Sequence, residues 1–296
     1  MTDETDLKQP ERAQVFLQGE SERFMKSLLE ASTEPSSEII YHYSGQEALL
    51  GILKSARIFA SDLRFMNDHT ERRFADRFIE QMIQENEGLG PFLLPLTDQS
   101  PVQIEIPEYA ACFSQDGDSL AQWRMYAGFN GYAIGWKHSA IAETAMASPT
   151  MTHFFPCCYD PEVQRKSLAD SIGRIKEFVV AEGLTLEAAS YLYSNIVWCA
   201  RSFYKHPSFA YEREMRLITF EHRNQDREGT DYQFSVRPGR NNLIPYVRVP
   251  VPTPAEIIIG PSAHPERAKQ ALDELIIRSG IKNLPTKISS APFVEF

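Results

Sequence analysis

"YHYSGQEALLGILKSARIFASDLRFMNDHTE", residues 41–71, is the stretch on which the reading of the fold turns. With Ile39 and Ile40 it begins as a strand, "IIYHYS". "GQEALLGILKSA" then sets Ala48, Leu49, Ile52 and Leu53 along one side of a short helix, and "RIFAS" returns as a second strand. The folded part of the chain therefore opens with a strand–helix–strand unit. His42 is out of place in it, because an apolar alternation has no use for an imidazole. In an extended strand His42 and Ser44 project from the same face, so a ring nitrogen and a hydroxyl can present hydrogen bonds to one ligand. A half-buried histidine satisfied by a backbone carbonyl is the competing reading.

Working outward, "DHTERRFADRFIEQMIQENEG" carries Phe74, Phe78 and Met82 at four-residue steps with Gly88 near its end, which reads as a helix. "LGPFLLPLTDQSPVQIEIPEY" is broken by prolines and reads as a flexible connection. Two strands, "YAACFSQ" and "GYAIGW", follow, separated by a turn and short helix in "DGDSLAQWRMYAGFN". A helical section spans about residues 160–205, with Leu192, Ile196, Ala200 and Phe203 on one side of its second helix and Thr185 as N-cap. "MRLITFE", "YQFSVR" and "YVRVPV" are strand-like. Strand "EIIIG", helix "HPERAKQALDELIIRSG" and "NLPTKIS" close the chain, with Ser262 as a cap, Pro265 in the first turn and Gly280 at the end of that helix. The expected class is α+β, with a mixed or antiparallel sheet and a helical insertion.

The 296 residues, 43% of them hydrophobic, suffice for a core. A net charge of −10 disfavours a broad basic surface for nucleic-acid backbones, although a local basic cleft is compatible with an acidic total. Residues 1–38 hold nine acidic and four basic residues and read as an acidic N-terminal extension, leaving residues 39–296 as a single domain. Within the extension, Leu17, Phe24 and Leu28 fall at helical spacing, as in an amphipathic helix that docks on the body or on a protein partner. "MTDETDLKQ" has neither the basic nor the apolar region of a signal peptide, and no apolar run is long enough to span a membrane, so a cytoplasmic location without membrane attachment is expected. Cys112, Cys157, Cys158 and Cys199 are too few and too irregular for a disulfide framework. His153 with Cys157 and Cys158 makes a poor zinc set, since adjacent cysteines rarely point at one ion.

Besides His42, Tyr43 and Ser44, three clusters carry chemistry. Ser61, Asp62, Asn67, Asp68 and Glu71 gather where a strand gives way to a helix, and Asn67 or Asp68 can equally serve as that helix's cap. Trp123 and Tyr126 are three apart, where they either fill the core or stack on a flat ring. In "YEREMRLITF", Glu212 and Glu214 alternate with Tyr211 and Arg213 at a strand start, so both carboxylates are expected on one face. Such a pair can polarise a hydroxyl, stabilise a developing cation or hold a metal. Arg213 and Arg216 could instead balance a solvent-facing strand start.

The ordered set "YHYS", "ALLGILKS", "ASD" with "MND", "CFS", "WRMYA", "YEREMR" and "IIIGP" resembles the bacterial domain-of-unknown-function family numbered 2971 across Ile39 to Phe296. More weakly, "YHYSGQEALLGILKSARIFASD" is similar in layout to the opening of ADP-ribosyltransferases, and "YEREMRLITF" resembles their late glutamate-x-glutamate strand. That second resemblance implies an ADP-ribosyltransferase-like fold and NAD as substrate. It implies that His42 and Ser44 hold the adenosine ribose and nicotinamide parts, and that Glu214 bonds the nicotinamide ribose and stabilises the cationic sugar. Glu212 would then orient or deprotonate a protein or nucleic-acid acceptor. Tyr43, Trp123 and Tyr126 become candidates to stack on nicotinamide, Ser61 a loose counterpart of the family's serine signature, and Asn67 and Asp68 a second polar wall. By analogy the chain would be an effector in bacterial or phage conflict. The pattern departs from the family in pairing a first-strand histidine with two glutamates, which leaves the acceptor open. The competing expectations are a non-catalytic nucleotide-sensing or partner-binding module, with an anion-friendly helix start at "GPSAHPERA", and a metal-dependent nuclease built from Asp62, Asp68, Glu212 and Glu214.

Overall fold

The computed structural model describes residues 9–30, 37–66, 70–97, 107–128, 130–147, 152–220, 234–239 and 242–292. The chain divides into two compact units: a helical unit from Met1–Glu34, Met66–Pro107 and Phe155–Ala210, and a sheet unit from Pro35–Phe65, Glu108–Phe154 and Tyr211–Phe296. Its class is α+β. The strands are β1 (Ile39–Ser44), β2 (Arg57–Asp62), β3 (Glu108–Ser114), β4 (Tyr132–Lys137), β5 (Thr152–Pro156), β6 (Glu214–Phe220), β7 (Ser235–Pro238), β8 (Leu243–Pro250), β9 (Glu256–Ile259) and β10 (Thr286–Ile288). The helices are α1 (Gln9–Glu30), α2 (Gln46–Ser55), α3 (Thr70–Glu85), α4 (Gly90–Leu93), the single turn α5 (Leu120–Gln122), α6 (His138–Met146), α7 (Pro161–Glu182), α8 (Leu186–Phe203) and α9 (Pro265–Arg278).

The sheet runs β10-β9-β4-β1-β3-β2-β8-β7, with β6 also on β3 and β5 on β6. Strand β3 is its organising element. Along one edge it pairs with the whole of β6, from Glu108↔Phe220 to Ser114↔Glu214. Its other edge is shared: β1 meets it only at Tyr41↔Ser114, and β2 only at Ser61↔Ala110 and Asp62↔Tyr109. Between those contacts the carbonyl of Cys112 faces a parting of two strands. The Nδ1–H of His42 donates to that carbonyl at 2.9 Å.

Directly opposed residues share a face, so the pairings sort the side chains. One face holds Ile40, Phe113, Ile134, Trp136, Met215, Leu217, Val247, Val249 and Ile257, which pack with Leu49 and Ile52 of α2, Ile141 and Ala145 of α6, and Leu272 and Ile276 of α9. The amphipathic stripes legible in these helices are the residues that cover this face. The other face is more polar and carries a smaller cluster of Tyr43, Trp123, Ala127, Ala133 and Ile258. Tyr41 lies on it in a slot made by two glycines: a Cβ on Gly117 would stand 2.5 Å from its ring, and one on Gly135 2.9 Å.

In the helical unit α1 packs on α7 and α8. Leu17, Phe24 and Leu28, the stripe expected from the spacing, are buried together with Met25 and Glu20. Glu20 is fully buried and accepts hydrogen bonds from Ser171 Oγ (2.6 Å), Arg174 Nε (2.8 Å) and Arg174 Nη2 (2.6 Å). The acidic extension thus holds a helix integrated with the section at 160–205. Arg201 of α8 ion-pairs with Asp76 of α3 at 2.7 Å, both nearly inaccessible, and also donates to the Leu96 carbonyl.

Two local expectations are corrected. The first part of the proline-broken stretch is ordered: Pro91 sits in the first turn of α4, and Leu93 and Leu96 are buried, because its leucines can fill a core that prolines at turn starts do not obstruct. The part at residues 98–106 lies outside the described residues. Ser262 does not cap α9. The N-cap is His264, without a side-chain cap bond, Pro265 follows it, and Ser262 Oγ is buried without a partner among the described residues. Thr185 caps α8 as expected, accepting from Ala188 N–H, and Gly280 takes the left-handed backbone (φ +70°) past the end of α9.

Glu20→Ala removes the acceptor of three buried or half-buried donors. It is expected to lower the free energy of unfolding by about 2 kcal/mol, below the usual buried-pair figure because Arg174 keeps some solvent. Urea denaturation followed by far-UV circular dichroism would measure it.

Candidate functional site

The polar face of the sheet unit is built around the ends of β3 and β6. Ser114 stands opposite Glu214 on one side and Tyr41 on the other, so these three side chains share a face. Two residues along β6, Arg216 lies on that face too and holds the Glu214 carboxylate through Nε to Oε1 at 2.9 Å and Nη2 to Oε2 at 3.2 Å. Both are buried, with Arg216 1% and Glu214 6% exposed, so this is a desolvated, two-point ion pair.

Glu212 is placed differently from the expected strand alternation. Strand β6 starts only at Glu214; Glu212 ends a 3₁₀ turn (Pro207–Glu212), and Arg213 between them adopts left-handed backbone at φ +45°. Non-glycine residues hold that conformation only when their surroundings enforce it. The enforcement is visible: the Arg213 carbonyl accepts from Gln115 N–H (3.0 Å), and the Glu212 carbonyl accepts from Ser114 Oγ (2.8 Å) and Gln122 Nε2 (3.4 Å). Ser114 therefore ties the backbone of one glutamate while standing opposite the other. The Glu212 carboxylate, 2% exposed, accepts the Tyr126 hydroxyl at 2.8 Å.

Tyr126 comes from "WRMYA", a π-helical turn (Trp123–Ala127) that continues α5 and ends at Gly128 with φ +66°. Such turns are costly and recur at functional sites. This one splits its aromatics. Trp123 is buried, donates Nε1–H to Asp118 at 2.9 Å and packs edge-on against Tyr43 at 4.7 Å, so it fills the core. Tyr126 and Met125 stay exposed beside Tyr211, whose hydroxyl reaches Met125 Sδ at 3.5 Å. Tyr43 is likewise a framing residue: its hydroxyl donates to the Asp116 carbonyl (2.8 Å) and accepts from Ser119 N–H (3.0 Å), and burial raises its pKa. Burial would also raise that of Asp118, but hydrogen bonds from Ser289, Ser290 and Trp123 together outweigh it and hold the carboxyl below its ordinary value.

The structure joins Tyr126 to the Glu212 carboxylate, links the Glu212 carbonyl to Ser114 opposite Glu214, and turns the first-strand pair to the other face. His42 is one residue on from Tyr41 and points to the other face, edge-on to Phe113 at 6.1 Å. Ser44 shares its face, with a buried Oγ that has no partner among the described residues. The physical reason is the period of two along β1: register with β3 puts its tyrosines, not His42, beside Ser114. Ser61 sits on the polar face but farther along, accepting from Arg237 Nη2 at 3.1 Å. Asp62 is occupied by Arg64, with Nη2 to Oδ2 at 2.6 Å. Asn67, Asp68 and the side chain of Glu71 lie outside the described residues. Sequence reasoning passed over Ser114 and Arg216 as site residues. The signal for them was the strand ending "CFSQ" and the alternation Glu214, Arg216, which acquire meaning only once β3 and β6 are paired.

Among the described residues no group of three His, Cys, Asp or Glu is placed to hold a metal ion. Cys157 and Cys158 are buried and outside any disulfide, and burial pushes the Cys158 thiol up to about 11. No helix among the described residues is long and apolar enough to cross a membrane.

A family model described as "Protein of unknown function (DUF2971)" matches residues 122–217. The chain is similar to that family from the π turn to the middle of β6, a stretch that contains Trp123, Tyr126, Glu212 and Glu214 and excludes His42. No curated protein and no solved structure matches the chain.

Burial lowers the pKa of His42, opposed by its bond to Cys112 and assisted by the charge of Arg237; burial also lowers His138 and His153. The unfolded chain therefore takes up these protons first as pH falls below the ordinary histidine value of about 6.5, and stability decreases there. Denaturation midpoints in urea are expected to be lower at pH 5.5 than at pH 7.5, with a smaller difference in His42→Gln.

Proposed function

We propose that the sheet unit is an ADP-ribosyltransferase-like enzyme that takes NAD as substrate and works at Glu214 and Glu212. The observation that carries the reading is the Ser114–Glu214 pairing, with the Glu212 backbone tied to Ser114 and its carboxylate to Tyr126. In the proposed reaction the bond between the ribose C1′ and the nicotinamide nitrogen breaks, and its electron pair leaves with nicotinamide. Positive charge grows on the sugar, and a fixed carboxylate in a desolvated setting stabilises it best. Glu214, positioned by Arg216, supplies that charge. The acceptor then forms a bond to C1′ and passes its proton to Glu212. Tyr126, exposed and bonded to Glu212, is the aromatic in position to meet nicotinamide or the acceptor.

One observation favours a second reading. Both oxygens of Glu214 already engage Arg216, an arrangement that also suits a non-catalytic nucleotide-binding module in which the pair is structural. A metal-dependent nuclease finds no support in the described carboxylates, since Asp62 pairs with Arg64 and no metal-holding group forms among the described residues.

Nicotinamide release from NAD, measured chromatographically with and without cell lysate, separates the readings. Wild type is expected to release nicotinamide, and Glu214→Gln to slow release at least ~100-fold while NAD affinity by calorimetry stays within about threefold. NAD binding without release in either protein moves the assignment to the binding module; neither binding nor release defeats both.

A further inference from the structure

Away from Glu212 and Glu214, β2, β8 and β7 present a second polar surface. The register Phe59↔Arg248, Ser61↔Tyr246 and Ser235↔Tyr246 gathers these five side chains on one face. Arg57 joins them two residues from Phe59, and Arg237, opposite Ile244, reaches across to Ser61 Oγ at 3.1 Å. The rings of Phe59 and Tyr246 stack at 4.1 Å with 27° between planes, and Arg248 lies over Phe59 at 5.8 Å. Phe59 is 41% exposed.

The electrostatics of this surface run against the rest of the molecule. The chain has a net charge of −10, yet the side chains that β2, β8 and β7 place here include Arg237 and Arg248 and, among the described residues, no carboxylate. Arg237 is half-buried, burial lowers its pKa, and no carboxylate among the described residues pairs with it. Partial desolvation of a guanidinium is costly, and an arriving anion offsets that cost. The Tyr246 hydroxyl would be raised by burial, but hydrogen bonds from Ser235 and Arg248 and the two arginine charges hold it below its ordinary value, so the site already favours negative charge. A partly exposed aromatic ring supplies sequence-tolerant stacking for a base, and the arginines around it supply contacts for phosphate.

We propose that this face of β2, β8 and β7 binds single-stranded nucleic acid, with one base stacked on Phe59 and the flanking phosphates held by Arg248 and Arg237. The surface stands independently of the NAD chemistry.

Fluorescence anisotropy of a labelled single-stranded oligonucleotide titrated with the full-length protein tests the proposal. Saturable binding is expected, with a logarithmic salt slope of about −1.4 for two phosphates neutralised at ~0.7 each. Phe59→Ala should weaken it about tenfold, and Arg248→Gln should reduce the slope to about −0.7. Both side chains are exposed, so folding is preserved, which unchanged circular dichroism verifies. Absence of saturable binding at low salt overturns the proposal, as does binding that both variants leave intact. Complete displacement by a mononucleotide at equal concentration also overturns it, by making the occupant a small nucleotide.

Discussion

One edge of β3 has to serve two strands, and much of the sheet unit follows from that constraint. Each of β1 and β2 pairs with part of it, and Cys112 lies between the two pairings. The imidazole of His42 closes the parting. A polar ring in an otherwise apolar strand is thus explained by main-chain accounting. It is a cost of placing two strands against one edge, and it frees the opposite edge of β3 to pair with β6 along its full length.

That full-length pairing creates the candidate site. It sets Ser114 against Glu214, and Ser114 in turn ties down the carbonyl of Glu212, so two carboxylates close in sequence enter different environments. Glu214 is locked by a guanidinium in a dry setting, whereas Glu212 is linked through a phenol to an exposed π turn. The difference does not come from residue type, since both are glutamates with arginine neighbours. It comes from the left-handed backbone at Arg213, which breaks the strand between them.

Local order was legible in the sequence wherever a short period set it. The strand "IIYHYS", the helix "GQEALLGILKSA", the long helices of residues 160–205 and the Thr185 cap all stand where spacing and capping chemistry put them. The site was legible as a set of residues but not as an arrangement. Alternation says that His42 and Ser44 share a face; only the long-range register Tyr41↔Ser114 says that this is not the face of Glu214. The same limit hid the surface around Phe59, whose partners Tyr246, Arg248 and Arg237 lie nearly two hundred residues away in the chain. Ser262 misled for a local reason: with Pro265 so near, the cap position fell to His264.

The helical unit draws α1 from the start of the chain and its partners α7 and α8 from beyond residue 160. On the ribosome, therefore, the apolar stripe of Leu17, Phe24 and Leu28 emerges long before the surface that will cover it has been made. At ordinary elongation rates that wait is on the order of ten seconds. During it the nascent chain carries an amphipathic segment with the Glu20 carboxylate on its apolar stripe, before Ser171 and Arg174 have been made to bond it.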